Sequence, residues 1–390
     1  MQLPHVSFLA LFWLISGMRT ITAFLLGLRL LMVLLTLVII YSYASWRPRD
    51  RPFPTSLAYR VDRHALTPEL ASTFLRSRLD DQTRAFLLEN RERASALSGR
   101  LELLIAQKIK VLLRLLGWTR VDTTAVVGER LFAASREQLD LMLERATPSL
   151  PPGPRLLDIG AGRGHVTSLL AAALHITTAR DVVAVEQSLV LRRELAERGF
   201  RTAESLSDPG VREAAPFGVV GLLNVLDRVD DPLGLLQATA GQLPASGGLL
   251  LVASVLPFNG FVRTAYDVRR APQRPLVLRP TSTHRSVDGG STQFERGAAA
   301  FAGTICDVSN ASLLAWTRLP YLQSADVSSS YYSLDHALFV FQARSRDYLH
   351  NFIRDPTLIS VGLRRALHGT LGAFAGEIFM WCEWPCRVCV

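Results

Sequence analysis

This sequence predicts an α/β fold built on a doubly wound, largely parallel sheet, and three observations carry that expectation. The first is Leu156-Leu157-Asp158-Ile159-Gly160-Ala161-Gly162-Arg163-Gly164-His165, a short apolar strand running into a glycine-rich turn. The second is the alternation of apolar runs with helix-length segments between residues 156 and 255. Strands separated by helices make parallel sheets covered on both faces. The third is the placement of three polar residues, Asp158, Glu186 and Asn224, at the ends of successive apolar runs. In such sheets ligands lie beyond the carboxyl ends of the strands.

The elements follow in order. Glycines at 160, 162 and 164 let the backbone pass close to a ligand and turn sharply into a helix expected at 167–174. An apolar strand closing on Asp-x-Gly-x-Gly-x-Gly suits S-adenosylmethionine (AdoMet), with Asp158 orienting the turn or meeting the ammonium of the cofactor; dinucleotide enzymes use a similar turn. Residues 182–185 read as a buried strand ending in Glu186. An acid there accepts hydrogen bonds from ribose hydroxyls, or alternatively caps the helix expected at 189–199. The distance from Asp158 leaves room for one helix, as a strand–helix–strand unit requires. A strand at 217–223 then ends at Asn224-Val225-Leu226-Asp227-Arg228, followed by a helix at 232–242, a turn at Gly247-Gly248 and a buried strand at 249–255.

The rest of the chain frames this unit. With 390 residues, 49% of them hydrophobic, it holds one large domain plus appendages. Residues 21–44 carry a single charge, Arg29, and are long enough to cross a bilayer. A shorter apolar piece at 6–17 precedes them, and Met18-Arg19-Thr20 between the two resembles the charged start of a signal sequence, making Met18 a second candidate initiator. Arg47, Arg49 and Arg51 follow. They favour a cytoplasmic domain if the segment is a retained anchor; a cleaved signal would release the domain into a lumen. The expected location is an endomembrane, the endoplasmic reticulum ahead of the mitochondrion, with the side left open.

Residues 1–46 are thus read as a signal or anchor, 52–150 as a helical N-terminal portion, 151–342 as the AdoMet-binding domain and 343–390 as an extension without an assigned role. Amphipathic stretches at 69–88 and 101–115 and a capped helix start at Ser135-Arg136-Glu137-Gln138 mark the helical portion. It is expected to pack over the cofactor mouth. Residues 269–290, rich in Arg, Pro, Ser and Thr, read as an inserted loop.

A net charge of +9 raises nucleic acid as a partner. The arginines are spread along the chain without an aromatic-interleaved stripe, so a solvated basic surface is expected and nucleic acid is not. Cys306, Cys382, Cys386 and Cys389 are too few for a disulfide scaffold and lack a fourth ligand for zinc, so no metal site is expected.

Several blocks resemble the DREV methyltransferase family. They are the glycine turn itself, Leu223-Asn-Val-Leu-Asp-Arg-Val-Asp230, Val255-Leu-Pro-Phe258, Thr317-Arg-Leu-Pro-Tyr-Leu322, Tyr331-Tyr-Ser-Leu-Asp335 and Ala337-Leu-Phe-Val340, with Phe74-Leu-Arg-Ser-Arg-Leu-Asp80 upstream. The resemblance runs from about residue 59 to 341 and implies a Rossmann-like class I AdoMet-dependent methyltransferase. Family members methylate the pros nitrogen (Nδ1) of histidine in His-x-His motifs of proteins or peptides. Asp158, Gly160, Gly162 and Gly164 form the expected AdoMet-binding turn; by resemblance Glu186 contacts the cofactor ribose, Asn224 the cofactor near its transferring end, and Tyr321 closes over the cofactor site, while Asp227, one turn beyond Asn224, is the candidate for gripping the substrate imidazole. Bland readings stand beside these roles: Asn224 and Asp227 as caps of the next helix, Tyr321 as a core aromatic, His165 as a surface residue at a helix start, and Tyr331 and Tyr332 as packing residues. Asp335 reads either as a contact for a basic peptide or as a solvated strand end. The alternatives for function are an AdoMet enzyme acting on a lipid or small molecule at a membrane, and a cofactor-binding pseudoenzyme.

Overall fold

The structure, a computed structural model, describes residues 8–45, 49–54, 56–146, 150, 153–263, 268–278 and 293–344. Helix α1 (Phe8–Ser45) is one unbroken helix, not two apolar pieces separated at Arg19. Arginine has nearly the helix propensity of leucine, so one charge does not end the run. Its Leu25–Ser42 stretch has a mean hydropathy of 2.3, and none of it is buried in the protein.

The N-terminal portion comprises α2 (Pro68–Thr73), α3 (Asp81–Ser95), α4 (Leu97–Leu115), α5 (Arg120–Val126), β1 (Leu131–Phe132) and α6 (Arg136–Glu144). The stretch expected as one helix over 69–88 is broken in two. Phe74 is extended and bridges Trp316 on the sheet, and buried Asp80 opens a new helix by accepting a hydrogen bond from the Thr83 amide at 2.8 Å. A side-chain cap thus overrides a periodic pattern. The start of α6 is a reciprocal capping box. Ser135 Oγ accepts from the Gln138 amide (3.1 Å), and Gln138 Oε1 accepts from the Ser135 amide (3.0 Å).

The alternating unit then runs β2 (Leu156–Ile159), α7 (His165–Ala173), β3 (Val182–Val185), α8 (Leu189–Glu197), β4 (Arg201–Ala203), α9 (Pro209–Ala214), β5 (Val219–Leu223), α10 (Pro232–Ala240) and β6 (Leu249–Val255). A small hairpin of β7 (Val262–Arg263) and β8 (Arg269–Arg270) follows, then α11 (Gln293–Ser309), β9 (Ala311–Gln323) and β10 (Tyr332–Ala343). The eight-stranded sheet has the order β1-β9-β10-β6-β5-β2-β3-β4. Strands β2 to β6 are parallel, and β10 is antiparallel to both β6 and β9. A parallel set with its last strand inserted in reverse is the class I methyltransferase arrangement, here extended by β1 at the edge.

Period-two alternation sends neighbouring residues to opposite cores. Leu157, Val183, Val220 and Leu250 pack with Trp316, Phe301 and Phe339. Leu156, Val182, Val219 and Leu249 pack with Met142 and Leu170 on the other face. The inserted loop begins as ordered structure: Arg270 pairs with Asp230 at 2.5 Å and Arg274 with Asp231 at 2.7 Å. Residues 279–290, the extension from 345 onward and the cysteines at 382, 386 and 389 lie outside the described residues.

Candidate active site

The chain leaves β2 towards β3 and β4, then returns to β5 on the opposite side of β2. This reversal opens a crevice beyond the carboxyl ends of β2 and β5. A cavity of about 280 Å³ occupies it, lined by Asp158, Gly160, Gly162, Glu186, Asn224 and Tyr321 among others. Six of the eight residues singled out in the sequence as cofactor or catalytic groups therefore line one cavity. Gly164 lies beneath it as the left-handed N-cap of α7, and Asp227 is buried behind it.

The glycine turn is shaped by close approach. Gly160 has φ +72°, and a Cβ there would meet Val225 Cγ2 at 2.5 Å; at Gly164 (φ +75°) it would meet Leu195 Cδ2 at 2.7 Å. Glu186 braces the turn from β3. Its Oε2 accepts from the Gly162 amide and its Oε1 from the Ser188 amide, both at 3.0 Å. Helix α8 is capped instead by Ser188 Oγ, which accepts from the Leu191 amide, so Glu186 stays on the cavity wall with carboxylate lone pairs to spare. Asp158 Oδ2 accepts from the Thr167 hydroxyl at 2.5 Å, while its Oδ1 is buried without a partner. Burial pushes the Asp158 pKa up to about 7.

The roof is the helical portion, as the sequence implied. Val121, Thr124 and Ala125 of α5, with Glu129, Leu131 and Ala133, complete the lining. Arg163 of the glycine turn ties this roof down, pairing with Glu194 at 2.9 Å and donating to the Ala125 carbonyl. His165, the first residue of α7, is exposed and also reaches the cavity.

Beyond the far wall is a polar cluster. Asn224 adopts φ +58°, the left-handed conformation that asparagine tolerates best among residues with a Cβ. Its Nδ2 lies 3.2 Å from His336 Nε2, a hydrogen bond that the amide donates when the ring carries its proton on Nδ1. The Tyr321 and His336 rings lie 5.4 Å apart. Burial drives the His336 pKa down to about 3, so the ring stays neutral. Burial, and then the nearby Asp227 carboxylate, raise the Tyr321 pKa. Asp227 itself is raised by burial, partly offset by Arg228 at 3.3 Å. Neither Asn224 nor Asp227 caps α10: that role falls to Asp231, whose Oδ1 accepts from the Gly234 amide at 2.8 Å. Asn224 Oδ1, Asp227 Oδ1 and His336 Nδ1 are all buried without partners.

His336 escaped sequence reasoning. The available signal was a lone histidine leading the apolar run 337–341 of a strand. Its neighbour Asp335 is paired with Arg318 at 2.7 Å. Tyr332 donates to Asp326, and Tyr331 donates to the carbonyls of Arg51 and Pro52.

The family model for DREV methyltransferases matches residues 58–343. The chain belongs to the DREV methyltransferase family. A ubiquinone biosynthesis O-methyltransferase from Xanthomonas axonopodis pv. citri (strain 306) is 27% identical over 224 residues, 55% of this chain and 84% of that protein. One of the same description from Xylella fastidiosa (strain M23) is 30% identical over 128 residues, 32% of this chain and 50% of that protein. Among solved structures, the CurJ carbon methyltransferase has a TM-score of 0.32 at 16% identity, covering 67% of this chain and 68% of its own. The N-terminal domain of EvdMO1 with SAH bound has a TM-score of 0.30 at 16% identity, covering 55% and 83%.

This DREV protein is accordingly an AdoMet-dependent methyltransferase, and its crevice fits the cofactor. Asp158 offers an unpartnered buried oxygen for an ammonium, Glu186 an acid at the end of β3 for ribose hydroxyls, and the turn a backbone stripped of side chains. AdoMet, when bound, supplies an electrophilic methyl group. The glycine turn, Asp158 and Glu186 would hold the cofactor in this cavity, with Asn224 and Tyr321 on its lining.

Proposed function

We propose that this enzyme methylates Nδ1 of histidine in His-x-His motifs of protein or peptide substrates, with Asn224, Asp227 and Tyr321 as the catalytic residues. The observation that carries this reading is the buried Asp227 carboxylate, with Oδ1 unpartnered, behind the Asn224–Tyr321 wall. A neutral imidazole is a competent nucleophile near neutral pH. It must carry its proton on Nε2 for Nδ1 to present a lone pair. Asp227 accepting that Nε2–H fixes the tautomer and stabilises the imidazolium that forms, much as the aspartate of a hydrolase triad does for its histidine. The substrate is taken from another protein, since this chain contains no His-x-His.

A second reading is favoured by the relatives named for ubiquinone biosynthesis together with the apolar α1: methylation of a lipid-like phenolic oxygen at a membrane. Such an acceptor must lose its proton, and the Asp227 carboxylate, its basicity raised by burial, would take it. One experiment separates the two. The full-length protein is given isotope-labelled AdoMet with His-Ala-His, Ala-Ala-His and Lys or Arg control peptides, and in parallel a hydroxylated quinol headgroup. Label on Nδ1 of His-Ala-His alone, located by mass spectrometry, is the expected result. Label on the quinol oxygen alone sinks the histidine reading.

A further inference from the structure

Helix α4 has two faces. One buries Gly99, Leu103 and Leu104 against the domain, with Leu103 packed near Ala94 and Ala325. The opposite face leaves Leu97, Leu101, Ile105, Leu112, Leu115 and Leu116 exposed, at 46–80% of their surface. Their spacing places them on one helical stripe. An apolar patch of this extent marks an interaction surface.

Two arrangements indicate what covers it. First, α1 packs beside α4, and its unburied Leu25–Ser42 stretch has the length and composition to cross a bilayer. Second, almost no free tether separates α1 from the domain. The helix ends at Ser45, yet the Arg49 amide already donates to the Ser328 carbonyl at 3.3 Å, and the Arg49 carbonyl accepts from the Ser330 amide at 3.4 Å. The Tyr331 hydroxyl then donates to the Arg51 carbonyl at 3.3 Å. Four residues span at most about 14 Å, so a bilayer surrounding α1 must touch the domain on the side where α4 lies. Lys108 lies on the same helix, a positive charge suited to anionic headgroups.

We propose that α4 docks on the surface of the bilayer that α1 crosses, its stripe sunk to headgroup level. The inference rests on α1 being a retained anchor. Helix α5 follows α4 after a short turn and walls the cofactor cavity with Val121, Thr124 and Ala125. Docking therefore sets the cavity beside the lipid surface and selects acceptors held at that membrane over freely diffusing ones.

The test uses the full-length protein in phosphatidylcholine vesicles containing phosphatidylserine. A fluorescent amino acid replaces Leu112 in one preparation and Leu35 in another, with quenching by headgroup-proximal nitroxide lipid and by aqueous iodide. The expected result is severalfold stronger quenching of both probes by lipid than by iodide. Iodide quenching at Leu112 with lipid quenching at Leu35 overturns docking and leaves the anchor standing. Silence to both quenchers at Leu112 means that protein covers the stripe, and also overturns docking. Absence of lipid quenching at Leu35 removes the anchor and the docking with it.

Discussion

At the scale of single residues, the site is governed by what burial does to charge. Asp158 has a folded pKa near 7 against about 3.9 for an unperturbed aspartate. Between those values the unfolded chain has lost the proton and the folded chain keeps it, so this group lowers the stability of the cofactor-free protein as pH rises across that window. A cofactor ammonium favours the ionised form. AdoMet affinity is therefore expected to rise from about pH 6 to about pH 8, with proton release on binding near neutrality. Titration calorimetry in buffers of different ionisation heat measures that proton, and Asp158→Asn should abolish the dependence. Asp227→Ala is expected to leave AdoMet affinity within about twofold while lowering kcat roughly a hundredfold or more. Turnover that survived the substitution would refute the tautomer-fixing role. His336→Leu removes the acceptor that holds the Asn224 amide and should lower kcat about ten- to a hundredfold with little change in cofactor affinity. His336→Gln, which keeps an acceptor near Nε2, should restore part of the loss; equal defects in both would assign His336 to packing alone. Asp158, Glu186 and Asn224 were legible because each ends an apolar run in a buried strand. His336 was not, because a polar residue inside a strand carries no sign of which side chain 112 positions away will meet it.

At the scale of elements, legibility followed burial. Strands β2, β3 and β6 are almost wholly buried, so each is a continuous apolar run that periodicity finds easily. The edge strand β1 is two residues long and half-exposed, too short for any pattern, and a helical expectation swallowed it. The break between α2 and α3 was hidden because the cap that makes it, Asp80, is satisfied partly through tertiary structure: the Ser135 hydroxyl donates to its other oxygen. This shared polar contact couples two helix starts. Ser135→Ala loses the α6 cap and the Asp80 contact together, and is expected to cost about 1–2 kcal/mol, read as a lowered Tm. Gly160→Ala meets both a left-handed backbone and the Val225 methyl. A penalty of about 1–2 kcal/mol should weaken AdoMet binding, visible as a smaller cofactor-induced rise in Tm than in the parent protein.

At the scale of the whole molecule, the family blocks located what periodicity could not. Strands β9 and β10 mix partly and fully buried positions and carry Trp316, Tyr321 and His336, and only the resemblance marked them as one unit. Their antiparallel pairing and the insertion of β10 against β6 decide where Tyr321 and His336 stand relative to Asn224. The proposed docking on a bilayer draws on the exposure of α1 and α4 together, a property of their juxtaposition rather than of either segment.

The reversed strand also has a consequence for biosynthesis. While the chain is emerging from the ribosome, β2 to β6 can assemble, but β6 keeps a bare edge until residues 332–343 arrive to fill it. Tyr321 and His336 come with that final hairpin, so a nascent chain has its glycine turn and Glu186 long before it has the opposite side of the crevice. A chain stalled before β10 would display an unpaired apolar edge of the kind chaperones recognise.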